Sequence, residues 1–138
     1  MCAEDTRRSR KKAGQLKELV LGVAELLREK RARDILVLEL GEITTVTDYF
    51  IICTVKTGVQ IRALARFVEE MIRSSAGANS GFDIRPMTRS AGYDSPWVLL
   101  DYNYFVIHFF LKEGREYYQL EKLWHDAKVL YSHEGDAL

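Results

Sequence analysis

The chain has 138 residues, enough for one domain that buries about two-thirds of its unfolded surface without a disulfide or a metal. Its 20 acidic and 20 basic side chains leave no formal net charge, so overall charge does not indicate binding to nucleic acid, a membrane or another polyanion. The two cysteines, Cys2 and Cys53, lie too far apart to suggest a disulfide framework or a zinc pattern, which favours a reducing compartment.

The N-terminal segment is basic, with three arginines and two lysines between Arg7 and Lys12 and no apolar residue to anchor them. We interpret residues 1–14 as a flexible tail. So short a basic run is consistent with either an arm that contacts RNA or a terminus that is simply solvated. No apolar stretch approaches the roughly 20 residues needed to cross a membrane, and no apolar segment follows the charged start. We therefore expect a cytoplasmic protein.

The first half of the chain alternates helical and strand patterns. Between Gln15 and Arg31 apolar residues recur with a period of about 3.6, which predicts an amphipathic helix packed on a sheet. Apolar residues recur at helical spacing again between Ile61 and Ile72, which predicts a second helix. Short β-branched or apolar runs predict strands at 34–40, 49–55 and, limited to a sheet edge by Pro86, 82–87.

The most apolar stretch runs from Trp97 to Leu111. It consists of two strand-like runs joined near Asn103, a residue type that tolerates a left-handed backbone, and this predicts a β-hairpin. Both strands are too apolar for a sheet with one face in water, so helices or a partner must cover both faces. The recurrence of Tyr117, Leu120, Leu123 and Trp124 predicts a helix after the hairpin.

The period is lost after Trp124, and we interpret residues 127–138 as a C-terminal tail. Residues 15–126 then form the domain. The order of elements predicts an α/β fold with a single mixed β-sheet and helices packed on it.

A phosphate-handling site is one candidate chemistry. Asp48, Asp101 and the loop at 54–58 suggest it, because a strand–loop–helix junction offers backbone N–H groups to a phosphate. A nucleotidyl-transferring site with two metal ions needs carboxylates close to that loop, and no acidic residue follows it until Glu69. The sequence thus disfavours an enzyme of this class and predicts no metal and no cofactor.

A thiol nucleophile with its base is a second candidate, formed by Cys53 and His108. Both residues lie within apolar strands, where a cysteine usually packs as a small hydrophobe and a single histidine belongs to the core. The three histidines show no metal-ligand spacing either.

Aromatic residues are dense between Trp97 and Trp124. Most can serve the core, but tryptophan and tyrosine beside Asp101 and Lys122 are also typical of the centre of a protein-binding patch. Asp101 interrupts an apolar strand face, where an ionised carboxylate must reach water or find a partner.

Separated motifs in this chain resemble the Iojap family, also called ribosomal silencing factors. They are TDYFIICT at 47–54, WVLLDY at 97–102, His108 and YQLEKLW at 118–124, and the likeness covers residues 15–126. The resemblance implies a fold similar to that of nucleotidyltransferases but without their catalytic carboxylates. It also implies a function without catalysis.

The partner implied by the resemblance is the large ribosomal subunit, bound through its ribosomal protein number fourteen at the face that meets the small subunit. Such binding blocks subunit association and represses translation, and family members are often homodimers in isolation. Carried over to this chain, the partner-binding surface consists of Trp97, Leu99, Asp101, Tyr102, Tyr118, Lys122 and Leu123.

The chain departs from the family pattern at two places. Asn103 and Tyr104 stand where a glycine and an acidic residue usually follow the LDY motif, and the loop after Thr54 reads Val-Lys-Thr-Gly instead of a glycine- and serine-rich sequence. Two alternatives remain at this stage. One is a nucleotide-binding protein or enzyme with the nucleotidyltransferase fold, and the other is a homodimeric scaffold whose aromatic face is its dimer interface.

Overall fold

The computed structural model describes residues 3–45, 47–76, 88–89 and 95–135. Its helices are α1 (Ala3–Glu29), α2 (Gly58–Ala76), α3 (Lys112–Tyr118) and α4 (Leu120–Leu123). Its strands are β1 (Arg33–Glu39), β2 (Tyr49–Val55), β3 (Thr88–Arg89), β4 (Trp97–Asp101), β5 (Phe105–Leu111) and β6 (Lys128–His133). Within these ranges no helix is long and apolar enough to span a membrane.

The six strands form one mixed sheet in the order β3-β4-β5-β2-β1-β6. The central pair, β2 and β5, is parallel, and the other neighbours are antiparallel. Parallel neighbours need a long crossover, and the connection from β2 to β5 includes α2. The predicted α/β fold with one mixed sheet and packed helices is confirmed.

Two hydrophobic clusters lie on the two faces of the sheet. The larger one contains Ile51, Cys53 and Val55 of β2 together with buried side chains of α1 and α2. The smaller one contains Ile52, which points to the opposite face of the same strand, together with side chains from the segment after β5. Successive strand residues point to opposite faces, and β2 and β5 are apolar at every position except Thr54 and His108 because both of their faces are covered.

The β4–β5 hairpin forms where the sequence predicts it. Asn103 has a φ of 73°, and the backbone N–H of Tyr102 donates to the carbonyl of Phe105 at 2.9 Å. A left-handed residue at this point reverses the chain within a short turn.

Three secondary-structure expectations need correction. Residues 3–14 belong to α1, because most of them are alanine, glutamate, arginine or lysine, which favour helix without an apolar stripe. Residues 128–133 form β6, paired with β1, and not a tail. The helix after the hairpin is divided at Gln119, whose left-handed φ of 47° ends α3.

One predicted strand is not tested by the structure. The segment 82–87 lies outside the described residues, and the strand that the structure shows next in the chain is β3 at Thr88–Arg89.

Candidate partner-binding face

The smaller cluster leaves part of its sheet face accessible along β4 and beside α3 and α4. Trp97, Leu99 and Asp101 point to this side and are half-buried, whereas Tyr118 is 44% and Leu123 73% exposed. We call the following set the aromatic face: Trp97, Leu99, Asp101, Tyr118, Lys122 and Leu123. The structure brings Trp97 of β4 into contact with Tyr118 of α3. Lys122 and Leu123 lie in the chain between Leu120 and Trp124, which both pack on the smaller cluster.

Trp97 is the centre of this face and is held on several sides. Its ring stacks on Phe110 of β5 at a centroid distance of 5.2 Å and contacts Tyr118 of α3 at 4.8 Å. Its indole Nε1–H donates a 3.0 Å hydrogen bond to Nδ1 of His108. The indole thus has a fixed position before any partner arrives, which lowers the entropy lost on binding.

His108, on the neighbouring strand β5, holds the Trp97 indole in position through their hydrogen bond. The antiparallel register pairs Leu99 with His108, and the imidazole is only 3% exposed. Burial lowers the pKa of His108 to about 3, so the ring is neutral near pH 7. Because Nδ1 accepts from Trp97, Nε2 carries the proton, and that buried atom has no hydrogen-bond partner among the described residues.

Asp101 closes the hairpin. Its Oδ1 accepts a 2.7 Å hydrogen bond from the backbone N–H of Asn103, the left-handed residue of the turn. The carboxylate therefore has both a structural partner and partial access to solvent. This arrangement explains how an acidic residue is accommodated on an otherwise apolar strand face.

Tyr102 is not part of the aromatic face, which corrects the expectation taken from the resemblance. Its side chain is 1% exposed and belongs to the larger cluster, where its ring stacks on Phe105 at 5.0 Å. Strand alternation sends residue 102 to the opposite side from 97, 99 and 101. A direct contact between Tyr102 and a partner would require the core to open.

The α3–α4 segment is fixed against the sheet by Arg115. This side chain, 14% exposed, donates from Nη1 to the carbonyl of Asp34 at 2.9 Å and to Oγ1 of Thr54 at 3.1 Å. Its Nε donates to Glu121 of α4 at 3.2 Å. These bonds tie the two short helices to β1 and β2, and so set the position of Tyr118, Lys122 and Leu123.

Gly114 allows α3 to begin directly after β5. A Cβ at this position would overlap the backbone carbonyl of Pro96, which accepts a 3.0 Å hydrogen bond from the N–H of Leu111. Only glycine permits this close approach between the start of α3 and the segment preceding Trp97.

A thiol nucleophile with a histidine base is not assembled. In the parallel register Ile52 pairs with His108, so Cys53 points to the opposite sheet face and lies in the larger cluster. Burial raises the pKa of the Cys53 thiol to about 12. The interpretation of both residues as core residues is confirmed.

The candidate phosphate-transfer groups are also separated. Asp48 precedes β2 and Asp101 ends β4, both at the end of the sheet where the hairpin turns, whereas the loop at 56–58 follows the opposite end of β2. In the described part of the chain no group of three or more acidic, histidine or cysteine side chains is arranged to hold a metal ion. The geometry gives no support to a two-metal site.

The fold and this face define a small mixed α/β protein in which α1 and α2 pack on one side of the sheet and the other side is left partly open around a fixed tryptophan. Residues 13–137 match the family described as "Ribosomal silencing factor during starvation", and the chain belongs to that family. The resemblance identified in the sequence is thereby confirmed.

Individual relatives agree with this assignment. The chain is 39% identical over 102 residues to "Ribosomal silencing factor RsfS" of Bacillus subtilis, covering 73% of this chain and 80% of the relative. It is 35% identical over 103 residues to "Mitochondrial assembly of ribosomal large subunit protein 1" of Mus musculus, covering 74% of this chain and 43% of that protein. A crystal structure of a Chromobacterium violaceum protein superposes with a TM-score of 0.66 at 28% identity, covering 79% and 85% of the two chains.

Proposed function

We propose that this protein binds the large ribosomal subunit through its aromatic face, at the surface that meets the small subunit, and thereby blocks subunit association and represses translation. Family membership and the names of its relatives support a role in translation or ribosome assembly. The name of the mouse relative, which refers to the large subunit, favours that subunit as the partner.

The observation that carries this proposal is the half-buried Trp97, which is held by a hydrogen bond to His108 and contacts the exposed Tyr118. Fixed aromatic side chains with apolar neighbours and a polar rim, here Lys122, are the usual composition of a binding hot spot. Ribosomal protein number fourteen is the proposed direct partner. The mechanism is steric, because a domain docked on one subunit occupies the space that the other needs.

Two further contacts belong to the same proposal. The basic residues between Arg7 and Lys12 lie in the first turns of α1, and we assign to them a contact with ribosomal RNA. A homodimer of the free protein that used the aromatic face would have to dissociate before docking, so dimerisation and ribosome binding would compete.

Sedimentation of purified ribosomal subunits tests the proposal. With added protein, we expect fewer joined ribosomes, and the protein should migrate with the large subunit and not with the small one. Unchanged joining together with no protein on the large subunit would refute it. Protein on the large subunit with unchanged joining would refute the steric mechanism while leaving the binding partner intact.

A further inference from the structure

A basic cavity lies at the end of the sheet opposite the hairpin turn, on the side of α1 and α2. It has a volume of about 190 Å³. Its lining includes Arg28, Arg31, Arg33, Lys56, Gln60 and His133, and no described acidic side chain lines it. It shares no residue with the aromatic face, and the proposed docking mechanism does not use it.

The cations in this cavity are concentrated and largely unpaired, although the chain as a whole has no net charge. Arg28 has a 3.2 Å ion pair with Glu25. In the described ranges, the side chains of Arg31, Arg33 and Lys56 form no hydrogen bond or ion pair with another residue. Such a group of like charges around a concave surface attracts anions.

Acidic residues nearby are directed elsewhere. Asp34 and Glu134 line a second cavity together with Arg115 and Glu121, and this cavity adjoins the basic one at His133, which lines both. Lys30, the neighbour of Arg31 in the chain, turns away and places its Nζ 4.2 Å from the ring centroid of Phe67. Charge at this end of the molecule is thus divided into one basic cavity and one mixed cavity.

Arg31 occupies a backbone position that normally belongs to glycine. α1 ends in a Schellman motif, in which the N–H of Ala32 donates to the carbonyl of Leu27 at 2.9 Å and the N–H of Arg31 donates to that of Arg28 at 3.0 Å. The residue at the left-handed position of this motif is Arg31, with a φ of 70°. An unfavourable backbone conformation that places a cation in a basic cavity is consistent with a binding role.

The cavity suits phosphate groups better than a whole nucleotide. Its volume is below the roughly 300–1,000 Å³ of pockets that enclose a drug-sized ligand, and among the described residues no aromatic side chain other than the imidazole of His133 lines it. Arginine guanidinium groups match phosphate oxygens in both charge and geometry. We propose that this cavity binds two or more phosphate groups of a ligand whose remainder lies outside it.

Titration calorimetry of the full chain with inorganic triphosphate at low ionic strength tests this proposal. We expect saturable binding that weakens about tenfold or more in Arg31→Gln/Arg33→Gln, as for the loss of charge-assisted hydrogen bonds. Lys17→Gln/Arg66→Gln is the matched control, because it removes two exposed cations outside the cavity. No saturable binding by the native chain, or an equal loss in both double variants, would overturn the proposal.

Two sources can supply the phosphates, and competition separates them. A short single-stranded RNA that displaces triphosphate more strongly than ATP does would identify an RNA backbone, and the reverse order would identify a free nucleotide. If the arginine variant fails to fold by circular dichroism, Lys56→Gln takes its place, with Arg66→Gln as control. The inference does not depend on the proposed function, because a chain that does not affect subunit joining can still bind triphosphate here.

Discussion

His108 makes the stability of the protein depend on pH in a predictable direction. Burial lowers its pKa from 6.5 to about 3, so below pH 6.5 the unfolded chain binds a proton that the folded chain does not. Above pH 6.5 His108 is neutral in both states and does not lower the free energy of unfolding. As the pH falls from 6.5 toward 3, that free energy decreases.

We expect the free energy of unfolding to decrease by about 1.4 kcal/mol per pH unit from this group alone over the acidic range. Urea unfolding of the native chain and of His108→Gln, at several values between about pH 7 and about pH 4, measures it. The glutamine still accepts from the Trp97 indole but does not titrate. Identical pH slopes for the two chains would contradict the prediction.

Trp97 serves both the fold and the proposed interface. Trp97→Ala removes the ring packing on Phe110 and Tyr118 as well as the bond to His108, so we expect large-subunit affinity to fall by about 2 kcal/mol or more. Trp97→Phe is the control, because it keeps a ring on Phe110 and should lose less affinity. If a folded Trp97→Ala chain binds with native affinity, Trp97 does not belong to the interface.

Arg31 lowers the stability of the folded chain relative to a glycine at the same position. Its φ of 70° is unfavourable for any residue with a Cβ, so we expect Arg31→Gly to raise the free energy of unfolding by up to about 1 kcal/mol. The same substitution should weaken triphosphate binding. Equilibrium urea unfolding measures the first effect, and a destabilised glycine variant would show that the arginine side chain stabilises the native state.

At the scale of elements, the α3–α4 segment carries the exposed part of the aromatic face. Leu123 is 73% exposed, so Leu123→Asp should weaken large-subunit binding about tenfold or more by placing a charge in an apolar contact, with little change in stability. Val59→Asp is the matched control: Val59 is 80% exposed on α2, on the other side of the sheet. Equal effects of both variants in a co-sedimentation assay would argue against this face.

The sequence predicts those elements whose apolar residues follow a clear strand or helix pattern. The continuous apolar run of β2 gives its bounds, Tyr49–Val55, because both faces of that strand are buried. β6 is not predicted by its sequence, because it is an edge strand whose residues are exposed or half-buried and show little alternation. Similarly, the break at Gln119 has no glycine or proline to mark it.

The candidate site was predictable to the extent that it follows from strand alternation. Trp97, Leu99 and Asp101 share a face in the structure as the period of two requires, and the same period excludes Tyr102, which the resemblance alone had included. The role of His108 could not be predicted, because it depends on the register between β4 and β5. The basic cavity likewise combines residues from α1, β1, α2 and β6 that no local pattern connects.

For the whole molecule, β6 is expected to be necessary for a stable sheet. Ending the chain at Ala127 would remove the strand that pairs with β1 and would expose side chains that contact Leu130 and Tyr131. We expect the free energy of unfolding to fall by about 2 kcal/mol or more, from the loss of these partly buried side chains. Thermal unfolding followed by circular dichroism measures the change. A truncated chain as stable as the native one would contradict the prediction and would show that pairing with β6 does not stabilise the fold.

The only two tryptophans of the chain, Trp97 and Trp124, both pack on the smaller cluster beside the open part of the sheet. Tryptophan fluorescence, excited selectively over that of tyrosine, therefore originates entirely from the side of the molecule proposed to meet the ribosome. Occupation of that side should shift or quench the emission, whereas filling of the basic cavity should leave it nearly constant. The protein thus carries its own optical probe, and the two binding events can be distinguished without attaching a dye.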